Sequence, residues 1–338
     1  MTLEKPIGGN FSLTDSDAFI RSKSNDSFRD FFPEKINERH LLRFETGTDS
    51  LAFIILDIFK KNGNIPVFFP NHYCGDTIER LKLKVQDLKI HFYSEIIELQ
   101  LSSPLIIIWN HFNKYLTVPE RIIKQKNSVC IEDFVHVPLD INKTKGQYAF
   151  NSLRKFCNLE LSLAYGDFSV TKTIETDATS NYYSQKKIAE VEKANWQSST
   201  EKVVEESFLE HFKLAEKELH NEDIQSANTI ETEKLNYYQF EKILDIRRLN
   251  YAYLKKELAS IDTIQIIEGE YMFLMIQIQN RDALRKELFD NAIFPPIHWL
   301  DSRNDELSKT LLSLPIDQRY NENDLKRIVT VIKSFYGN

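Results

Sequence analysis

Between about residues 40 and 170, short apolar runs alternate with segments of helical periodicity. A chain that alternates in this way is restricted to a largely parallel sheet flanked by helices. IPVFFP (65–70), LKIHFYS (88–94), PLIIIW (104–109) and SVCIED (128–133) read as strands. Leu51, Ile54, Ile55 and Ile58 fall at helical spacing, which predicts a helix beginning at residue 48 or 49, directly after TGTDS. Residues 171–233 are polar and acidic and read as an excursion outside the main sheet, with an exposed amphipathic helix over 201–220. A long helical pattern from Lys234 to Leu258 then leads into two strand-like runs, IQIIEG and YMFLMIQIQN, joined through Gly269. Helices at 282–290 and 323–335 complete a small α+β lobe. The expected organisation is a large α/β domain over 1–235, with an amino-terminal arm, and a small α+β domain over 236–338. A chain of 338 residues has the length for both cores.

Composition narrows the partners. Hydrophobic residues make up 42% and charged residues 28%, the balance of an ordinary globular protein. With 43 basic and 50 acidic residues, the net charge of −7 offers nothing to a phosphate backbone, so nucleic acid is not an expected partner. No stretch reaches the roughly 18 uninterrupted apolar residues that span a bilayer, and the start of the chain has no basic segment followed by an apolar run. No membrane contact and a cytoplasmic location are expected. Cys74, Cys130 and Cys157 are widely spaced with no CxxC pair, which indicates neither a disulfide framework nor a metal site.

Three segments carry candidate chemistry. IEDFVH is an apolar strand ending in Glu132 and Asp133, with His136 three residues on. Ligands of open parallel sheets sit beyond the carboxyl ends of strands, and a carboxylate there can pair with a protonated ring nitrogen. His136 could touch the same ring; equally, Asp133 could cap a turn and His136 could pack. FNSLRK places Lys155 22 residues after Asp133, close to Asn151 and Ser152, whose amide and hydroxyl could reach a phosphate. A lysine that forms a Schiff base must be partly desolvated so that its amine is often neutral, although a lysine after an arginine is commonly a solvated charge. TGTDS offers Gly47, Thr48 and Asp49 at a helix start, where N–H groups and the helix dipole favour an anion, but any Thr-Asp N-cap has this appearance. Tyr73, in PNHYCG after the first of the four strands, could stack on a planar ring, with His72 as the other candidate, or simply pack.

TGTDSL, PNHYC, EDFVH and NSLRK, in that order, resemble the DegT-type sugar aminotransferases, fold-type I enzymes dependent on pyridoxal 5'-phosphate (PLP). RRLNYAYL, NRDALRKELFDNAIFPPIHW and LSLPIDQRYNENDLKRI resemble the small domain of the same family, so the resemblance runs over most of the chain. It implies that Lys155 carries the cofactor, that Asp133 pairs with the pyridinium nitrogen and that His136 neighbours the ring. It further implies that Gly47, Thr48, Asp49 and Ser152 hold the phosphate with Asn151 beside them, that Tyr73 stacks on the ring, and that His298, Arg319 and Tyr320 line the substrate side. The implied reaction moves an amino group from a donor such as glutamate to a keto sugar linked to a nucleotide, for surface polysaccharide or amino-sugar synthesis, in a homodimer. A sugar dehydratase on the same scaffold would have replaced the lysine. After Lys155 the family's glycine-rich stretch is FCNLELSLAYGDF here, with Gly166 alone remaining, and NHFNKYL (110–116) lacks the usual glycine. These departures keep open a non-catalytic relative that serves as a binding or scaffold protein.

Overall fold

A computed structural model describes residues 5–20, 41–95, 103–125, 127–140, 143–170, 176–199, 207–299 and 306–337. The chain divides into two compact units, Ser12–Gln239 and Met1–Phe11 with Phe240–Asn338.

The larger unit is built on a sheet of seven described strands: β1 (Leu41–Phe44), β2 (Val67–Pro70), β3 (Ile90–Tyr93), β4 (Leu105–Asn110), β5 (Ser128–Asp133), β6 (Tyr148–Phe150) and β7 (Ser162–Gly166). Their spatial order is β1-β7-β6-β5-β4-β2-β3. Neighbours from β3 through to β6 pair in parallel, whereas β7 runs antiparallel to both β6 and β1. Helix α1 (Gly47–Asn62) lays Leu51, Ile54, Ile55 and Ile58 on one face of the sheet, against Phe69, Ile106, Ile108, Ile131 and Phe150. The opposite face buries Leu105, Ile107 and Cys130 beneath Val118 and Ile122. Strands apolar on both faces sit at the centre of the sheet, and each fully buried Ile contributes about 1.5–3 kcal/mol. Helix α2 (Gly75–Lys84) follows β2.

The polar excursion contains α3 (Asn181–Ser198), α4 (Ser207–Glu218) and α5 (Thr229–Leu235). The amphipathic helix expected over 201–220 spans Ser207–Glu218; residues 201–206 lie outside the described residues. Its Phe208, Phe212 and Ala215 are buried, packed with Tyr182 and Ala189 of α3. Helix α3 had no clear apolar stripe because Lys186, Glu190 and Lys193 occupy its inner face beside Tyr182 and Tyr183.

The helical pattern from Lys234 to Leu258 is not one helix. It breaks between α5 and α6 (Phe240–Leu258), where Tyr238 bridges Ile20 and the Gln239 N–H donates to the Phe19 carbonyl. Over that stretch the N–H groups of Asn236, Tyr237 and Tyr238 donate to carbonyls three residues back and that of Gln239 to Phe19, so the i to i−4 ladder ends there.

In the smaller unit β8 (Gln265–Ile267), β9 (Phe273–Gln277) and β10 (Leu311–Pro315) form an antiparallel sheet in the order β10-β9-β8. Helix α6, α7 (Arg281–Asp290) and α8 (Glu322–Tyr336) enclose its core, which includes Leu254, Leu274, Leu288, Leu312 and Ile328. Ile7 and Gly8 pair in parallel with Ile293 and Phe294, which groups the first eleven residues with this unit rather than with the large domain expected to carry them. Gly8 has φ +102°, and a Cβ there would collide with the Phe294 carbonyl. Among the described residues, no helix is long and apolar enough to cross a membrane, and no group of three or more His, Cys, Asp or Glu is placed to hold a metal ion.

Candidate active site

The parallel strands deliver their carboxyl ends to one edge of the sheet, where β2 runs into Tyr73, β5 ends in Asp133 and β6 runs into Asn151 and Ser152. That edge is where a ligand of an open sheet sits.

Asp133 is buried, with Oδ2 accepting the Tyr73 hydroxyl at 2.7 Å and Oδ1 accepting the Val135 N–H at 2.8 Å. Burial pushes its carboxyl above the usual range, and the two hydrogen bonds, His111 and Lys155 pull it partly back. The charges of Asp133 and Lys155 therefore act on each other. Glu132, one residue earlier, projects from the other face of the strand, as alternation requires. It is committed there: Oε1 accepts the N–H groups of Lys145 and Gly146, and Oε2 faces His111 Nε2 at 2.8 Å. Because His111 Nδ1 accepts from the Leu116 N–H at 3.0 Å, the imidazole proton belongs on Nε2 and is donated to Glu132.

Lys155 ends a short 3-10 turn, Leu153–Lys155, and is half-buried. Burial lowers its amine below the ordinary lysine value, Arg154 lowers it further, and Cys74 and Glu216 act in the opposite direction. A lysine tuned downward in this way is more often neutral and therefore nucleophilic.

Helix α1 starts against this turn. A Cβ on Gly47 would lie 3.3 Å from the Asn151 carbonyl oxygen, 3.3 Å from Ser152 Cβ and 3.5 Å from Val135 Cγ2. The helix start, the segment before Lys155 and the exit from Asp133 thus converge. Thr46 is the N-cap; its hydroxyl accepts the Asp49 N–H, and the Asp49 carboxylate accepts from Thr46 in return. Asp49 also faces Lys84 at 3.0 Å, with both side chains buried. Asp49 is thereby occupied as a capping residue, and the first-turn N–H groups of Gly47 and Thr48 are the ones without intrahelical partners. Asn151 Oδ1 accepts the Leu163 N–H at 2.9 Å, fastening β7, whereas the Ser152 hydroxyl makes no capping bond. A downward-tuned amine, a buried carboxylate and a helix start with free N–H groups form the donor set that suits an aldehyde, a ring nitrogen and a phosphate on one small molecule.

Compared by sequence, the chain matches no family model and no curated protein. Compared by structure, it is similar to the aminotransferase TlmJ from Streptoalloteichus hindustanus, with TM-score 0.61 and 11% identity over 98% of this chain and 97% of that one. It is also similar to AtS13 from Actinomadura melliaura, with TM-score 0.60 and 12% identity over 99% of both chains. A DegT DnrJ EryC1 StrS aminotransferase from Brucella abortus gives TM-score 0.56 and 15% identity over 95% of this chain and 92% of that one. The chain has the aminotransferase fold.

On this aminotransferase fold the remaining sequence candidates occupy defined surroundings. The Tyr73 ring packs on Phe69 with centroids 4.9 Å apart, and its hydroxyl is spent on Asp133. His136 is half-buried and meets the Phe112 ring edge-to-face at 4.7 Å. His298, Arg319 and Tyr320 belong to the smaller unit. There Arg319 pairs in bidentate fashion with Asp317 at 2.7 and 2.8 Å and donates to the carbonyls of Gly9 and Asn10. Tyr320 accepts the Gly8 N–H at 2.6 Å, so these two residues fasten the amino-terminal arm. His298 packs near Phe273, with centroids 5.1 Å apart.

Sequence reasoning did not single out Arg154, His111, Cys74 or Glu216. Arg154 was visible beside Lys155, and His111 in the loop after PLIIIW, but a partner distant in sequence gives each its meaning. Glu216 carried no local signal at all, since it is one carboxylate in an acidic helix.

Proposed function

We propose that the chain is a PLP-dependent aminotransferase that acts on a keto sugar. The observation that carries this reading is the close approach of the α1 start to the segment before Lys155 and to the exit from Asp133, at the carboxyl edge of the sheet. The similarity in fold to the aminotransferase TlmJ, to the sugar aminotransferase CalS13 from Micromonospora echinospora and to DesI, whose structure was determined with its TDP-sugar product, supports the substrate class.

When bound, PLP supplies an electron sink and carries the amino nitrogen between donor and acceptor. Lys155 Nζ would hold the cofactor through its aldehyde and, once released, would hold and move the proton at the reacting carbon. Asp133 receives the ring N–H and keeps the ring protonated, while Tyr73 and Val135 hold the carboxylate in place. The N–H groups of Gly47 and Thr48, with the hydroxyls of Thr48 and Ser152, hold the phosphate. Asn151 shapes the turn that presents Lys155, and His136 borders the ring. The donor is an amino acid such as glutamate, and the acceptor is a keto sugar carried on a nucleotide. The product enters surface polysaccharide or amino-sugar synthesis, and the enzyme works in the cytoplasm as a homodimer.

The test is a half-reaction. Purified chain loaded with PLP is mixed with glutamate alone, and 2-oxoglutarate is measured. Stoichiometric product from the wild type and none from Lys155→Ala is the expected result; with glutamate inert, the same assay is run across other amino acids. No keto acid from any donor would overturn the proposal.

A further inference from the structure

The neighbour of Lys155, Arg154, is tied down by a hydroxyl and a carboxylate. Arg154 Nη1 donates to the Tyr182 hydroxyl oxygen at 3.0 Å and to Glu216 Oε1 at 3.1 Å. The other oxygen of Glu216 receives Arg80 Nη2 at 2.7 Å, and Arg80 also pairs with Asp76 at 2.5 Å. The Tyr182 hydroxyl in turn donates to Glu160, whose Oε1 lies 3.8 Å from Lys186 Nζ. One chain of alternating charge thus links α2, α4, the Lys155 turn, the segment leading into β7 and α3. Glu160 stands in NLELSLA, the stretch without glycines that follows Lys155. A loop that lacks glycine flexibility is fixed here by a buried carboxylate and its partners.

We infer that Arg154 is a positioning residue for Lys155: held by Tyr182 and Glu216, it fixes a permanent positive charge beside the amine, so that helices outside the sheet set the reactivity of Lys155. This deepens the functional proposal and rests on its reading that Lys155 carries the cofactor. A guanidinium suits the task because it stays charged at every working pH and its planar fork can be anchored at a defined orientation. Glu216, pinned between two guanidiniums, is held far below the usual carboxylate range, so the anchor does not titrate either. The groups that act on the Lys155 amine are Arg154 and Lys186, which favour its neutral form, and Cys74, Glu216 and Asp133, which favour its charged form.

The experiment uses the full chain without cofactor. Lys155 is acetylated with limiting acetic anhydride from pH 6 to 11, and the labelled fraction of its peptide is read by mass spectrometry. Arg154→Met is expected to move the midpoint upward by about one pH unit, because a nearby like charge is gone. Arg154→Lys retains a charge and returns the midpoint toward that of the wild type. Glu216→Gln removes a negative charge and moves it downward. Should Arg154→Met fail to fold, Glu216→Gln decides, since that side chain is 42% exposed and its loss leaves no buried orphan. An Arg154→Met midpoint equal to the wild type, or an unmoved Glu216→Gln midpoint, overturns the inference. Colour with added PLP is recorded separately: a colourless wild type overturns the functional proposal, while displaced acetylation midpoints still stand as a property of the turn.

Discussion

The Tyr73 hydroxyl donates to Asp133 Oδ2 at 2.7 Å, and both residues are buried. The carboxylate that would meet a ring nitrogen is therefore already oriented by an aromatic residue delivered from the segment after β2, two strands away in the sheet. Burial raises the Asp133 carboxyl, so the folded cofactor-free chain binds this proton more tightly than the unfolded chain does. The resulting stabilisation is complete below the ordinary carboxylate value and is lost as pH rises through the raised one. Tyr73→Phe removes a contact that lowers the carboxyl and extends that window upward. It should cost about 1.5–3 kcal/mol at neutral pH, the usual range for a hydrogen bond to a charged group, and less at pH 4, as read by urea unfolding.

Glu45 provides a second titration with a clearer range. It is buried, with the Ser180 hydroxyl donating to it at 2.7 Å, and burial pushes its carboxyl up to about 8 from 4.5. Its contribution is full below pH 4.5 and disappears as pH passes about 8, which amounts to roughly 5 kcal/mol at most for this one group. Glu45→Gln keeps an acceptor for Ser180 and removes the titration. Unfolding free energies measured at pH 5, 7 and 8.5 should fall more steeply for the wild type than for the variant.

Lys84 and Asp49 form a buried pair at 3.0 Å, with Asp49 also serving the N-cap of α1. Lys84→Met leaves that carboxylate without its cation, and loss of one partner from a buried pair costs about 3–5 kcal/mol. Denaturant unfolding at pH 7 measures it. Asp49→Asn in the same background should recover part of the loss, because the uncompensated charge is then gone.

Gly47→Ala tests the close approach of α1 to the Lys155 turn. The added methyl lies 3.3 Å from the Asn151 carbonyl and from Ser152 Cβ, neither of which is the end of a flexible side chain. Alanine is the better helix former by up to about 1 kcal/mol, so unfolding stability should change little. Displacing the helix start from the phosphate position should weaken PLP binding by about tenfold, or about 1.4 kcal/mol, in a titration followed by absorbance.

The parallel strands were legible because apolar runs such as PLIIIW have no competing reading, and Asp133 was legible because it ends one of them. The start of α1 was legible from TGTDS to within a residue or two, expected at 48 or 49 and found at Gly47, because the N-cap is Thr46 with Asp49 completing the capping box. The sequence did not disclose the break at Tyr238, because that residue leaves the helix for Ile20 and Asn158, far away in the chain. Nor did it disclose that Arg319 and Tyr320 hold the amino-terminal arm, since their partners Gly8, Gly9 and Asn10 lie more than three hundred residues earlier. Helix α3 stayed hidden for a different reason: its buried face is charged, and the balancing partners Glu160 and Glu231 come from other segments.

The most direct measurement is reductive trapping. The full-length chain is incubated with PLP, treated with borohydride and digested, and the modified peptide is identified by mass spectrometry. The account predicts a yellow protein that bleaches on reduction, with one phosphopyridoxyl group fixed on Lys155 and none on Lys155→Ala. A chain that stays colourless, or one whose label falls on exposed lysines with Lys155 unmodified, would contradict it.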